Sequence, residues 1–174
     1  MENIDWGSVE AAKDYVRPTA GGYVMRIAYV ENVEASKYLL LKLDFVEGEL
    51  KDYGLNIEER TNDDWGYMKA FRSYKETAKG FFKAFLVAVE QSNRNFSIAK
   101  FRGNESMLEG MLVGAVLFEE EYRGNDGSIK IRAKVDKIIP VDDIRKGKFK
   151  VKPLKKLEMS DTTGVPFIGE DIPF

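Results

Sequence analysis

Residues 21–45, GGYVMRIAYVENVEASKYLLLKLDF, decide the fold. They read as two β-strands joined by a short turn at Glu34-Ala35-Ser36. In the first strand Tyr23, Met25 and Ile27 share one face, while Val24, Arg26 and Ala28 share the other. In the second, Leu39, Leu41, Leu43 and Phe45 alternate with Tyr38, Leu40, Lys42 and Asp44. The first set is the core face, and the second presents an aromatic ring and a cation outward.

Working toward the C-terminus, Gly48 breaks the run, and residues 50–60 (LKDYGLNIEER) read as a weaker third strand. Three strands this close in sequence predict an antiparallel meander. Residues 61–74 (TNDDWGYMKAFRSY) show no clear period. From about Tyr74 to Gln91, Ala78, Phe81, Phe82, Phe85, Leu86 and Val89 recur at helical spacing, which assigns all three phenylalanines to the core. Ser73 and Glu76 have the spacing of a capping box at the start of that helix. After a turn-rich stretch to Gly110, residues 111–123 and 128–141 read as two strands joined by Gly124-Asn125-Asp126-Gly127. In the last strand Ile129, Ile131, Ala133 and Val135 alternate with Lys130, Arg132, Lys134 and Asp136.

Three strands, one helix and two strands form the order of the OB-fold, a mainly β five-stranded barrel with one helix between strands three and four. An open α+β sheet shares this order. The division expected is a lead-in at 1–20, the barrel domain at 21–157 and a flexible acidic tail at 158–174.

Composition narrows the chemistry. The 174 residues include no cysteine and no histidine. Thiolate nucleophiles, Ser-His-Asp triads, imidazole proton shuttles, Cys/His zinc sites and disulfides are therefore excluded. No cofactor and no metal is expected. The polar, acidic opening MENIDWGSVEAAKDY does not read as a signal peptide, and no apolar run is long enough to span a bilayer. A location in the cytoplasm, away from membranes, is the expectation.

The formal net charge of -2 conceals a segregation. Eleven basic residues fall between Lys130 and Lys156, opposed by Asp136, Asp142 and Asp143, and every charged residue after Lys156 is acidic. Basic surfaces attract polyanions by counterion release, although a lysine-rich edge also guards a strand against aggregation. Aromatic and cationic side chains interleave elsewhere. The candidate DNA contacts are Arg26, Tyr38 and Lys42 on the outer faces of the first two strands, then Trp65, Tyr67, Phe71 and Arg72 before the helix. Tyr122, Arg123, Lys130, Arg132 and Lys134 at the last hairpin complete the set. Stacked bases and neutralised phosphates are what a single-strand binder requires of such residues.

The sequence closes on Glu170, Asp171, Ile172, Pro173 and Phe174. An aromatic ring, a stiffening proline and nearby carboxylates make a good short peptide ligand. This ending resembles the acidic Ile-Pro-Phe tip of bacterial single-stranded DNA-binding proteins, with a shorter acidic run. The wider layout, with its GGYVMRI strand and Phe-rich helix, is similar to bacteriophage-type single-stranded DNA-binding proteins. The resemblance implies single-stranded DNA as ligand, and it implies replication, recombination and repair proteins recruited through residues 170–174 in a bacterial host cytoplasm. It also implies a tail that lies on the basic surface until DNA displaces it. It carries over no DNA-binding residue.

Two other classes compete. One is an OB-like protein–protein adaptor in recombination or replication without direct DNA binding. The other is a carboxylate nuclease built on Asp63-Asp64, Glu119-Glu120-Glu121 or Asp142-Asp143. Successive strand positions cannot all share one face, which argues against the glutamate trio, and the expectation is a non-enzyme. Edge strands leave pairing into a homo-oligomer open.

Overall fold

The alternation in residues 21–45 is realised as β1 (Gly21–Val33) and β2 (Tyr38–Phe45), paired antiparallel from Met25↔Phe45 to Val33↔Tyr38. The computed structural model describes residues 3–9, 11 and 16–158, so the expectations for residues 170–174 lie outside the described residues. The other elements are α1 (Tyr53–Thr61), β3 (Met68–Ser73), α2 (Lys79–Ser92), α3 (Ile98–Phe101), β4 (Leu112–Arg123), β5 (Ile129–Ile139) and α4 (Val141–Arg145). The strands form one antiparallel sheet in the order β3-β2-β1-β4-β5. Its two end strands, β3 and β5, curl toward each other within 8 Å between Cα atoms. The result is a nearly closed five-stranded barrel consistent with the OB-fold, with α2 packed between β3 and β4.

Met25, Ile27, Leu39, Leu41, Leu43, Phe45, Val113, Ala115 and Leu117 fill the barrel, and Phe85, Leu86 and Val89 of α2 close one end. Each large apolar side chain buried here contributes about 1.5–3 kcal/mol. A β-bulge at Ala28 shifts the β1 register, so Tyr29 rather than Ala28 stands opposite Lys42 on the outer face.

Several expectations are corrected. Residues 50–60 hold helix α1, not a strand, and the third strand is Met68–Ser73 within the stretch that lacked a period. The cause is Asp44. Placed outward by alternation, it is fully buried instead, and its Oδ1 and Oδ2 accept the N–H groups of Gly54 (2.8 Å) and Leu55 (3.0 Å) at the start of α1. A carboxylate among orphan helix N–H groups favours a helix there. The period of β3 is obscured because Arg72 occupies an inward position after Met68 and Ala70.

The capping box is not made. A single 3₁₀ turn at Glu76–Ala78 leads into α2, and Ser73 Oγ accepts the N–H of Lys75 instead. Phe85 is buried and Phe82 partly buried, but Phe81 is 72% exposed, because the first turn of α2 runs past the barrel edge. Ile129 and Ile131 are also exposed. β1 pairs with β4 only as far as Leu117, so the rest of β4 and the first half of β5 extend beyond the barrel as a ribbon whose β4 edge is bridged by Lys155.

Candidate nucleic-acid interface

The outer faces of β2 and β3 bring Tyr38, Leu40 and Lys42 beside Ser73, Phe71 and Lys69. Tyr38 and Phe71 meet edge to face with ring centroids 5.5 Å apart. Phe71 is exposed, and Trp65 stands on the loop before β3 with half its surface open to solvent. One side of this face is walled by α1. There Glu58 Oε2 accepts the hydroxyls of Tyr29 (3.0 Å) and Tyr67 (2.5 Å), while Lys42 pairs with Asp64 at 2.7 Å. The Lys42 hydrogen bond holds the Asp64 carboxyl below its ordinary range. Burial and the Glu58 bond push the Tyr67 hydroxyl far up. Tyr67 is thus a buried clasp for α1 whose ring also closes on Gly54, and not a platform for a base. Lys42 is committed to Asp64, and Arg26 lies 3.7 Å from Asp52.

Past Phe71 the surface falls into a groove of about 700 Å³ between β3 and β5, roofed by the first turns of α2. Among the described residues no backbone hydrogen bond joins β3 to β5. Lys69, Lys134 and Lys137 line the groove with the rings of Phe71 and Phe81, and Lys152 and Lys155 reach it from the segment after α4. Arg72 lies half-buried within it. Its guanidinium sits 5.7 Å from the Phe85 ring centroid, donates to the Phe71 carbonyl at 2.7 Å, and makes no salt bridge among the described residues. Burial draws its pKa down from 12.5 to about 10.

Glu120 and Asp136 line the groove as well; Glu120 accepts Arg132 at 2.8 Å and Lys134 at 3.3 Å, and Arg132 stacks 4.7 Å from the Tyr122 ring. Burial alone would raise the Glu120 pKa. The Arg132 hydrogen bond and the Lys134 charge outweigh it and hold the group below its usual range. Asp136 is the bulged residue of β5, and Lys152 pairs with it at 2.5 Å. Arg123 donates to the Gly127 carbonyl, and Lys130 lies 3.9 Å from Asp126.

No known protein family and no curated protein matches this sequence. The site therefore stands on its own geometry.

The structure brings Tyr38, Phe71, Arg72 and Lys134 onto one continuous surface, with Trp65 on the loop that leads into β3. Tyr122, Arg123, Lys130 and Arg132 lie apart, on the ribbon. Sequence reading missed Lys69, Phe81, Phe118, Lys137, Lys152 and Lys155. The Phe81 ring was hidden by its helical spacing, and the lysines could not be sorted while β3 itself was misplaced. The carboxylates considered for a nuclease are dispersed. Asp64 faces two lysines, Glu119 pairs with Arg17, and Asp142 pairs with Lys146. Among the described residues no acidic cluster has the form of a metal site, and no helix is long and apolar enough to cross a membrane.

Proposed function

We propose that this protein binds single-stranded DNA without sequence preference, along the β2–β3 face and the groove between β3 and β5. The observation that carries the reading is Arg72: a half-buried guanidinium with no salt bridge among the described residues, at the base of a groove rimmed by lysines and phenyl rings. A charge so placed is poorly hydrated and has no carboxylate partner among the described residues, and a phosphate oxygen supplies what it lacks. Phe71, Phe81 and Trp65 offer open ring faces to bases. Only unpaired nucleotides have a base face to give, which favours single strands over duplex.

Residues 170–174 would recruit replication, recombination and repair proteins, by their resemblance to the tips of bacterial single-stranded DNA-binding proteins. On that reading the protein serves a bacteriophage or other mobile element in the cytoplasm of its host.

Fluorescence anisotropy with labelled oligo-dT at low and moderate salt, beside a duplex control, tests the proposal. Tight binding that weakens with salt and exceeds duplex binding supports it. No binding at low salt refutes it and leaves the adaptor reading in the lead.

A further inference from the structure

One carboxylate in the groove is left half satisfied. The β4–β5 register passes from Val116↔Lys137 to Leu117↔Val135, which leaves Asp136 as the extra residue of a bulge. Bulges re-aim side chains, and this one lays a carboxylate into the groove wall, 6% exposed. Lys152 takes Oδ1 at 2.5 Å, whereas Oδ2 is buried and has no hydrogen-bond partner among the described residues. No other buried side-chain nitrogen or oxygen among them is left so. Buried polar atoms are nearly always paired, so an orphan in a cleft calls for a donor from outside.

The surroundings select the chemistry of that donor. Lys134, Lys137, Lys152 and Lys155 line the same groove, and together they repel a further cation. Among the described residues no group of three acidic side chains could hold a metal ion. The missing donor is therefore neutral. Phe118, whose ring centroid lies 5.6 Å from the Lys152 ammonium, and Phe71 line the groove too and offer flat apolar surface to the group that carries it. A flat ring with N–H groups at its edge is a nucleobase. Cytosine, adenine and guanine present an amino group there, whereas thymine and uracil present one N–H between two carbonyls, which a carboxylate repels. Room for the base comes from two sides. Lys152 is 59% exposed and can pivot about Oδ1, and no backbone hydrogen bond joins β3 to β5 among the described residues, so the wall can yield.

We infer that Asp136 Oδ2 accepts the amino group of one nucleobase of the bound strand, which biases that position toward cytosine and the purines over thymine. The inference rests on the DNA-binding reading and refines it at a single position, since stacking and phosphate contacts along the rest of the strand stay indifferent to sequence. An ionised carboxylate accepts and never donates, so a base edge that shows only an acceptor at this point is rejected.

The test is fluorescence anisotropy on the full chain with oligo-dC and oligo-dU of equal length, strands alike in size that carry an amino group or a carbonyl at the same ring position. The wild-type protein should bind oligo-dC about tenfold tighter, the worth of one hydrogen bond to a charged group. A strand of 2-pyrimidinone deoxynucleotides, which are cytosine without its amino group, should lose that advantage on the unaltered protein. Asp136→Asn keeps the shape and puts an N–H donor where Oδ2 stood, so oligo-dU should then match or exceed oligo-dC. Urea midpoints show whether the variant folds, and if it does not, the pyrimidinone comparison decides. Equal wild-type affinity for oligo-dC and oligo-dU, or a preference that survives either Asp136→Asn or removal of the amino group, overturns the inference and leaves the DNA reading standing. No binding of any of these single strands at low salt overturns both.

Discussion

Replacing Arg72 with methionine should move stability and DNA affinity in opposite directions. The side chain packs over Phe85, and methionine keeps most of that packing while removing the charge. Burial lowers the folded-state pKa from 12.5 to about 10, so the charged form is disfavoured by about 3 kcal/mol relative to the unfolded chain at pH 7. The lost bond to the Phe71 carbonyl returns about 1 kcal/mol of this. The Arg72→Met protein should therefore be more stable by about 1–2 kcal/mol in urea unfolding, with an unchanged slope. Its affinity for oligo-dT should fall about 10- to 100-fold, the worth of a charge-assisted hydrogen bond to phosphate. The slope of log K against log salt should become shallower by about 0.7, one phosphate contact on a single strand. Anisotropy titrations across salt, paired with urea curves, measure all three. Unchanged affinity and salt slope, or a stability loss above about 1 kcal/mol, would refute the reasoning: Arg72 would then be a structural residue that happens to be charged.

Asp44→Ala removes the acceptor of the Gly54 and Leu55 N–H groups and should destabilise the protein by about 2–4 kcal/mol, read as a lower urea midpoint. The folded-state pKa of Glu120 lies below its ordinary value of 4.5, so its contribution to stability is full above that value and is lost as the pH falls through the lower folded value. Urea midpoints across that window should drop more steeply for the wild type than for Glu120→Gln. Phe71→Ala opens no core cavity and should leave thermal stability nearly unchanged. It should weaken oligo-dT binding about 5- to 150-fold by anisotropy, the worth of one stacked base.

The barrel was legible where alternation is undisturbed. Leu39, Leu41, Leu43 and Phe45 point inward as their period of two requires, and Gly124-Asn125-Asp126-Gly127 joins β4 to β5 as its composition indicates. Reading failed where one buried polar group overrides a local pattern. Asp44 converts residues 53–61 from strand to helix by a contact ten residues away, and inward Arg72 conceals the alternation of β3. The same two residues explain why the site was only partly foreseen. With β3 displaced, nothing placed its outward face opposite β5, so the groove could not be drawn. Phe81 shows a different limit: helical spacing gives the direction of a side chain but not whether the neighbour it faces is core or cleft.

The unsealed line between β3 and β5 has a mechanical consequence. Every other neighbouring pair of strands is stapled by a hydrogen-bonded ladder, so the barrel's girth can change at one place only, and changing it breaks no backbone bond. β5 is held by a backbone ladder to β4 alone, and elsewhere by side-chain contacts such as Lys152 with Asp136, so it can shift on that hinge while the leucine-packed wall of β1 and β2 stays fixed. Backbone amides should register the asymmetry, with slow exchange along β1 and faster exchange along the facing edges of β3 and β5. On the proposed reading, a strand of nucleotides of uneven width, purine following pyrimidine, would meet a channel that can adjust its span from one base to the next without disturbing the interior that gives the protein its shape.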